Sequence, residues 1–347
     1  MNKMRRWIMF SIPFLLGFPL IAAASPSSVP SIPTSFQVGG VTVTPTPPSP
    51  GFNPLTASNA ALRANGYPER PKGASPQWWL NAVSHVHWIY PQFVSHTHHQ
   101  PGSPPAAKPI AGNASGYDAS NWTGNIDYNG GSFTSIVAQW PVPSASSPYN
   151  TNVYSSIWPG IGYGQSSSSA LLQAGSEQDV TWEYVLHYGY KAFPTYYLWW
   201  EAYPFNAQQQ VNIGVSPNDV IFVNVAYYGN NTAHYYIEND TTGATTSFNV
   251  SFSGGFTGQH AEWIVERTEE NGQYPPLTNF TNMNFSDANA EQNGTWQSVG
   301  QWSHFFYFMQ DPYNDDGEQL NAYPGSISGS GFPVYWQNYG DWDAQGT

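Results

Sequence analysis

The chain has 347 residues, a formal net charge of −13, no cysteine, and only 9% Asp, Glu, Lys and Arg. That length admits one large domain or two smaller ones, and the core must hold without covalent staples. After Ser115 there are 21 acidic residues against Lys191 and Arg267 alone, an anionic surface that excludes nucleic acid and anionic membranes as partners.

The first predicted element is a secretory leader. Lys3, Arg5 and Arg6 precede an apolar run from Trp7 to Leu20, and Ala22-Ala23-Ala24 supplies small residues for cleavage before Ser25. Residues 1–24 are therefore expected to be a signal peptide. The run is short and broken by Pro13 and Pro19, which argues against a membrane span, and no later stretch reaches about 18 apolar residues. The expected product is secreted, extracellular and free of the membrane.

Residues 25–54 are rich in Pro, Ser and Thr and are expected to be disordered linker. Leu55 to Asn65 predicts a short helix, and Pro76 to Tyr90 predicts another with Trp and Leu on one side. Five of the nine histidines lie nearby: His85, His87, His96, His98 and His99. They suit either a solvated polar face or a pH switch, because histidine charges between neutral and mildly acidic pH. His96-Thr97-His98-His99 can bind metal adventitiously but lacks the acidic or CxxC partner of a designed site, and no cofactor is expected. Pro101 to Gly112 is again linker. The layout of residues 25–115 resembles a propeptide with a cleavable hinge.

From Tyr117 short runs of Val, Ile, Phe, Tyr, Trp and Thr alternate with Gly, Asn, Pro and Ser clusters. Phe133–Trp140, Val220–Tyr227, His234–Asn239 and Thr246–Phe252 predict strands, and no amphipathic helix is evident. The expectation is an all-β fold over residues 116–347, an antiparallel β-sandwich or barrel. Eight Asn-X-Ser/Thr patterns, at Asn113, Asn121, Asn230, Asn239, Asn249, Asn279, Asn284 and Asn293, permit glycosylation without requiring it.

Ala261-Glu262-Trp263-Ile264-Val265-Glu266 carries the chemistry. Two carboxylates in an apolar strand are unfavourable unless something uses or pairs them. Alternation puts Glu262, Ile264 and Glu266 on one face. Acidity itself points to an acid habitat. Near pH 3 exposed carboxylates are neutral, and the few basic groups after Ser115 leave little positive charge to repel. Solubility or adaptation to salt is the alternative.

Six segments in order resemble one family: Ser120-Asn121-Trp122-Thr123-Gly124; Phe133-Thr134-Ser135 through Gln139-Trp140-Pro141; Trp158-Pro159-Gly160-Ile161 with Leu171-Leu172-Gln173-Ala174-Gly175; Trp199-Trp200-Glu201-Ala202-Tyr203-Pro204; Glu238-Asn239-Asp240-Thr241-Thr242-Gly243; and Ala261–Glu266. Together they resemble the glutamic peptidases, or eqolisins, over about Ser120 to Ala288. The resemblance implies a sandwich of two antiparallel sheets of the lectin-like, jelly-roll type. It also implies a monomeric acid endopeptidase that is insensitive to pepstatin-type inhibitors and acts on protein substrates with its own propeptide as partner. By motif match the implied catalytic pair is Gln173 and Glu266, with Trp158 and Glu201 beside them. Glu262 shares the face of Glu266 and competes for its role. Two positions depart from the pattern: Gly162 and Glu177 stand where the family often has Asp. Fungal members carry cysteines absent here, which points to a prokaryotic branch.

Two alternatives remain at this stage. A glycosidase on a similar sandwich needs two carboxylates about 5–9.5 Å apart. A carbohydrate-binding module would use the 15 Trp and 23 Tyr for stacking.

Overall fold

Period-two patterning builds two antiparallel sheets in the computed structural model, which describes residues 34–344 apart from 74, 97–98, 101–107, 111–114, 163–168, 281–282, 312–318 and 341–342. The lower sheet contains β1 (Trp122–Tyr128), β2 (Ser156–Gly162), β3 (Leu171–Val185), β4 (Gly189–Tyr203), β5 (His260–Glu266) and β6 (Ser303–Asp311). Their spatial order is β4–β3–β2–β5–β1–β6, each pair antiparallel. In the upper sheet Val41–Pro45, Ala244–Ser251, Thr232–Asn239, Val220–Tyr227, Phe133–Pro141 and Met283–Gln292 pair in that order. Met283–Gln292 serves both layers. Its first three residues pair with Phe332–Trp336 of the lower sheet and the remainder with Phe133–Pro141.

Alternation assigns each strand an inner and an outer face. Trp140, Val223, Tyr235 and Phe248 of the upper sheet belong to the same core as Leu172, Ala174, Trp200, Trp263 and Val265 of the lower. Full burial of such a side chain stabilises the fold by roughly 1.5–3 kcal/mol, which suits a chain without disulfides. The intervening residues of the lower sheet point the other way. There Trp122, Ile126, Trp158, Leu171, Tyr197, Trp199, Ile264 and Tyr307 form a second apolar cluster.

The strands expected after residue 116 are present, and among the described residues no helix follows that point. The region before it differs from expectation in two ways. Residues 36–45 are not linker: Phe36–Val38 and Val41–Pro45 form a hairpin, and the latter pairs with Ala244–Ser251. Val41 and Val43 are fully buried in the core. The Val-Thr-Val-Thr alternation outweighs the surrounding prolines, because Thr suits a pleated surface as Val does. The helix expected from Pro76 to Tyr90 covers only α2 (Gln77–Ala82), after α1 (Asn59–Ala64). Beyond it the His87 and Ile89 amides donate to Gly243 and Thr245 carbonyls, and His87–Trp88 pairs parallel with Ala244–Ser251.

This N-terminal region grips both sheets. Leu62, Tyr67, Trp78 and Trp79 pack on Val137, Phe222 and Tyr236 of the upper sheet. Phe93–His96 pairs with Gln208–Val211, which extends the lower sheet beyond β4. Phe93 meets Trp200 and Phe248 edge-on at 5.3 and 5.0 Å. His85 and His87 are exposed, whereas His96 stacks on Tyr197 with ring centroids 4.6 Å apart. The signal segment, His98 and most of the second linker lie outside the described residues.

Candidate active site

The outer face of the lower sheet gathers every site residue expected from sequence. Gln173 on β3 is in register with Glu201 on β4 and Gly160 on β2, and Gly160 in turn with Glu262 on β5. Four residues further along, Glu177, Ser156 and Glu266 form a parallel row across β3, β2 and β5. Trp158 stands between the rows on β2, opposite Ile264. Gln173, Trp158, Glu177, Glu201, Glu262 and Glu266 are each at most 1% exposed.

Trp158 spans the gap. Its indole Nε1 donates to Glu266 Oε2 at 2.8 Å. At the other end of the ring, Cζ3 lies over Gly160, only 3.0 Å from where a Cβ would be, and Gln173 Cβ lies 3.2 Å from that same point. A Cβ on Gly175 would likewise meet Trp158 Cβ at 2.8 Å. The two glycines of β2 and β3 thus make room for the indole that connects the polar pair. Trp122 packs edge-on against Trp158 at 5.1 Å.

Gln173 Nε2 donates to Glu201 Oε2 at 2.9 Å, while Gln173 Oε1 has no hydrogen-bond partner among the described residues. Burial holds the Glu201 carboxyl well above its ordinary range; the Gln173 hydrogen bond opposes this and the charge of Glu266 adds to it. That coupling associates Glu266 with the Gln173–Glu201 pair. Glu262, although level with Gln173, turns to His260, whose Nδ1 lies 3.4 Å from Oε1. Its pKa is raised by burial, with His260 opposing.

Glu177 anchors a neighbouring network. Thr268 Oγ1 donates to Oε1 at 2.6 Å and Gln208 Nε2 to Oε2 at 3.1 Å. Burial raises it to about 7, against those hydrogen bonds. Asp179 is also raised, by burial and then by the charge of Glu177. Tyr197 donates to Gln208 at 3.2 Å and so ties His96 to this network. Gly162 has a plain physical reason. Its φ is +138°, and a Cβ would lie 2.0 Å from the Ala170 carbonyl oxygen, so an Asp does not fit.

Sequence reasoning missed one contact of the acidic centre. Asn121 Nδ2 lies 3.4 Å from Glu266 Oε1, and its carbonyl accepts from the Arg267 amide. The Asn-Trp pair at the start of the family-like region carried that signal, with Trp122 beside it. Burial of Asn121 and Asn239, both engaged in hydrogen bonds, also removes them as glycan acceptors.

Residues 120–311 match the model of the Peptidase A4 family. The chain belongs to this family. It is a glutamic-type endopeptidase, which removes the glycosidase and binding-module alternatives. Aspergillopepsin-2 of Aspergillus niger is 27% identical over 216 residues, covering 56% of this chain and 72% of the relative. Scytalidopepsin B of Scytalidium lignicola is 31% identical over 184 residues, covering 50% and 65%. Among solved structures, scytalido-glutamic peptidase with a transition state analog inhibitor aligns with TM-score 0.50 at 24% identity. It covers 63% of this chain and 98% of that one, a likeness of fold.

Proposed function

We propose that this peptidase is a secreted, acid-active endopeptidase in which Glu266 is the general base and acid and Gln173 stabilises the oxyanion. The carrying observation is the pair of hydrogen bonds that aim the two groups: Gln173 donates to Glu201, and Trp158 donates to Glu266. Glu266 accepts a proton from water, the water oxygen attacks the scissile carbonyl carbon, and the proton passes to the leaving nitrogen. Gln173 Nε2 carries two hydrogens. One engages Glu201, leaving the other for the developing oxyanion, while the unpartnered Oε1 can accept from the water. Glu201, kept protonated by burial, orients the amide without adding a negative charge beside the base.

Residues 25–115 act in this proposal as a prosegment, cleaved near residues 101–117. At most 1% exposure of Gln173 and Glu266 is compatible with a closed precursor. The docked region also contains an acid-sensitive contact. His234 is fully buried near Gly66 and Arg63 of the N-terminal region, and its Nδ1 lies 2.9 Å from Asn249 Oδ1. Burial lowers it to about 4, and the Arg63 guanidinium adds to that. Charging His234 in strong acid sets two cations against each other across the contact and loosens it.

The test is a pH profile of denatured-protein digestion by the acidified precursor, with a pepstatin-type inhibitor as control. Glu266→Gln should abolish both maturation and digestion, while Glu262→Gln should retain activity within a few-fold. Full activity of Glu266→Gln would remove the assignment.

A further inference from the structure

β3 and β4 are each 15 residues long, and only their inner halves belong to the sandwich. The ladder runs unbroken from Leu171↔Tyr203 to Val185↔Gly189, so the outer halves form a two-stranded arm. The turn is tight: Tyr188 N donates to Val185 O at 2.9 Å, and His187 and Gly189 take φ near +70°. Residues 190–195 are all exposed. Among the described residues, β4 pairs beyond β3 only at Trp199 and Trp200, with Gln208–Val211.

This arm concentrates exposed apolar surface. Tyr184, Leu186, Tyr188, Tyr190 and Phe193 are between 42% and 73% exposed. Tyr184 and Tyr190 stack edge-on across the strands at 5.6 Å. Towards the base of the arm Trp182 lies against the exposed ring of Tyr149 at 5.0 Å, and its indole N–H donates to Ser147. A bare two-stranded ribbon is marginal in water, and clustered exposed apolar surface marks an interaction site.

Two features select the occupant. Pro194 and Lys191 lie in the exposed half of β4, and proline and lysine blunt a strand edge against pairing with another copy. The arm also contains one acid opposite one base, Glu183↔Lys191, within a region that is otherwise strongly acidic. It therefore selects by apolar and aromatic contact rather than by charge. Tyrosine does this with little loss of side-chain entropy and with tolerance of sequence. The strands that form the arm are the same two that carry Gln173 and Glu201.

We propose that the β3–β4 arm is a docking surface for extended, apolar segments of unfolded polypeptide substrates, remote from the bond that is cut. The proposal rests on the site placement above. Phe193 and Glu201 are eight residues apart on β4, about 26 Å at 3.3 Å per residue. A substrate must therefore extend about eight residues beyond the cleaved bond to use both. Long unfolded chains gain from the arm and short peptides do not.

The test compares the wild type with Tyr184→Ser/Tyr190→Ser/Phe193→Ser, all surface positions, after melting curves establish equal folding. A second variant removes residues 183–191 and closes the hairpin with Asn-Gly. Expected is a loss of about tenfold in kcat/KM on a reduced, unfolded protein, carried by KM, as for truncation of aromatic anchors. A quenched fluorescent peptide of six residues should be cut within twofold of wild type. Equal effects on both substrates, or none on the long one, overturn the proposal. So does a concentration-dependent dimer in sedimentation that the triple variant dissolves. If Glu266→Gln cuts the short peptide as fast as wild type, the Gln173/Glu266 assignment is at fault. The arm is then decided by anisotropy of the labelled unfolded protein: unchanged binding by the triple variant overturns it.

Discussion

Trp158→Phe removes one hydrogen-bond donor of the proposed machinery. The substitution keeps an aromatic ring between Gln173 and Glu266 but deletes the Nε1–H that donates to Glu266 Oε2 at 2.8 Å. A hydrogen bond to a charged group is worth about 1.5–3 kcal/mol. It favours the ionised carboxylate, so its loss makes ionisation harder. At about 1.4 kcal/mol per pH unit, the acid limb of kcat/KM should move upward by about one to two units. In the acidic part of the profile this corresponds to a loss of about tenfold to a hundredfold. Shrinking the ring also loosens its contact with Trp122, a stability effect of about 1–2 kcal/mol that melting measures separately. The assay is kcat/KM against pH for both proteins on one peptide. A variant profile that superimposes on wild type after vertical scaling would show that Trp158 only fills space.

Gly162→Asp, which restores the residue often found in the family, should destabilise by about 3 kcal/mol or more, because the new Cβ collides with Ala170 backbone at a positive φ; urea denaturation unchanged from wild type would contradict this. Stability should rise as pH falls from 8 to 5. Burial raises Glu177 and Asp127 to about 7 and Glu238 to about 8, so the stability held by their protonated forms is complete below the ordinary carboxylate range and lost as pH rises through those values, on the order of 3–5 kcal/mol each. His234, lowered to about 4, has the opposite sign: its contribution is present above the ordinary histidine value and lost as pH falls through 4. Melting temperature should therefore peak in mild acid, and a monotonic rise toward pH 8 would refute the assignment. Val43→Ala should cost about 2 kcal/mol, since Val43 is fully buried in the shared core; an unchanged melt would mean the N-terminal hairpin is not docked as described.

Much of the sandwich was legible because most of its strands obey period two. Val220–Tyr227 coincides with its predicted span, and Ala261, Trp263 and Val265 face the core while Glu262 and Glu266 face away. The same periodicity explains what stayed ambiguous. It places both glutamates on one face, and only their partners separate them: the distant Trp158 for Glu266, the neighbouring His260 for Glu262. The short N-terminal hairpin was hidden by composition, since Pro and Ser around Val41–Pro45 carry the signature of a linker. The end of α2 was equally hidden, because the acceptors that hold the His87 and Ile89 amides in extended backbone lie more than 150 residues away.

The pairing of β1 with β5 has a consequence for how the molecule comes into being. Trp122 is in register with Glu266, so the ladder beneath the acidic centre closes a loop of about 140 residues. Val137 and Asn289 are paired across a similar distance by the strand shared between the layers. Contacts of such sequence separation form late and slowly. A chain still on the ribosome and lacking β5 therefore has no ladder beneath the acidic centre. The acidic centre is complete only after β5 has been made.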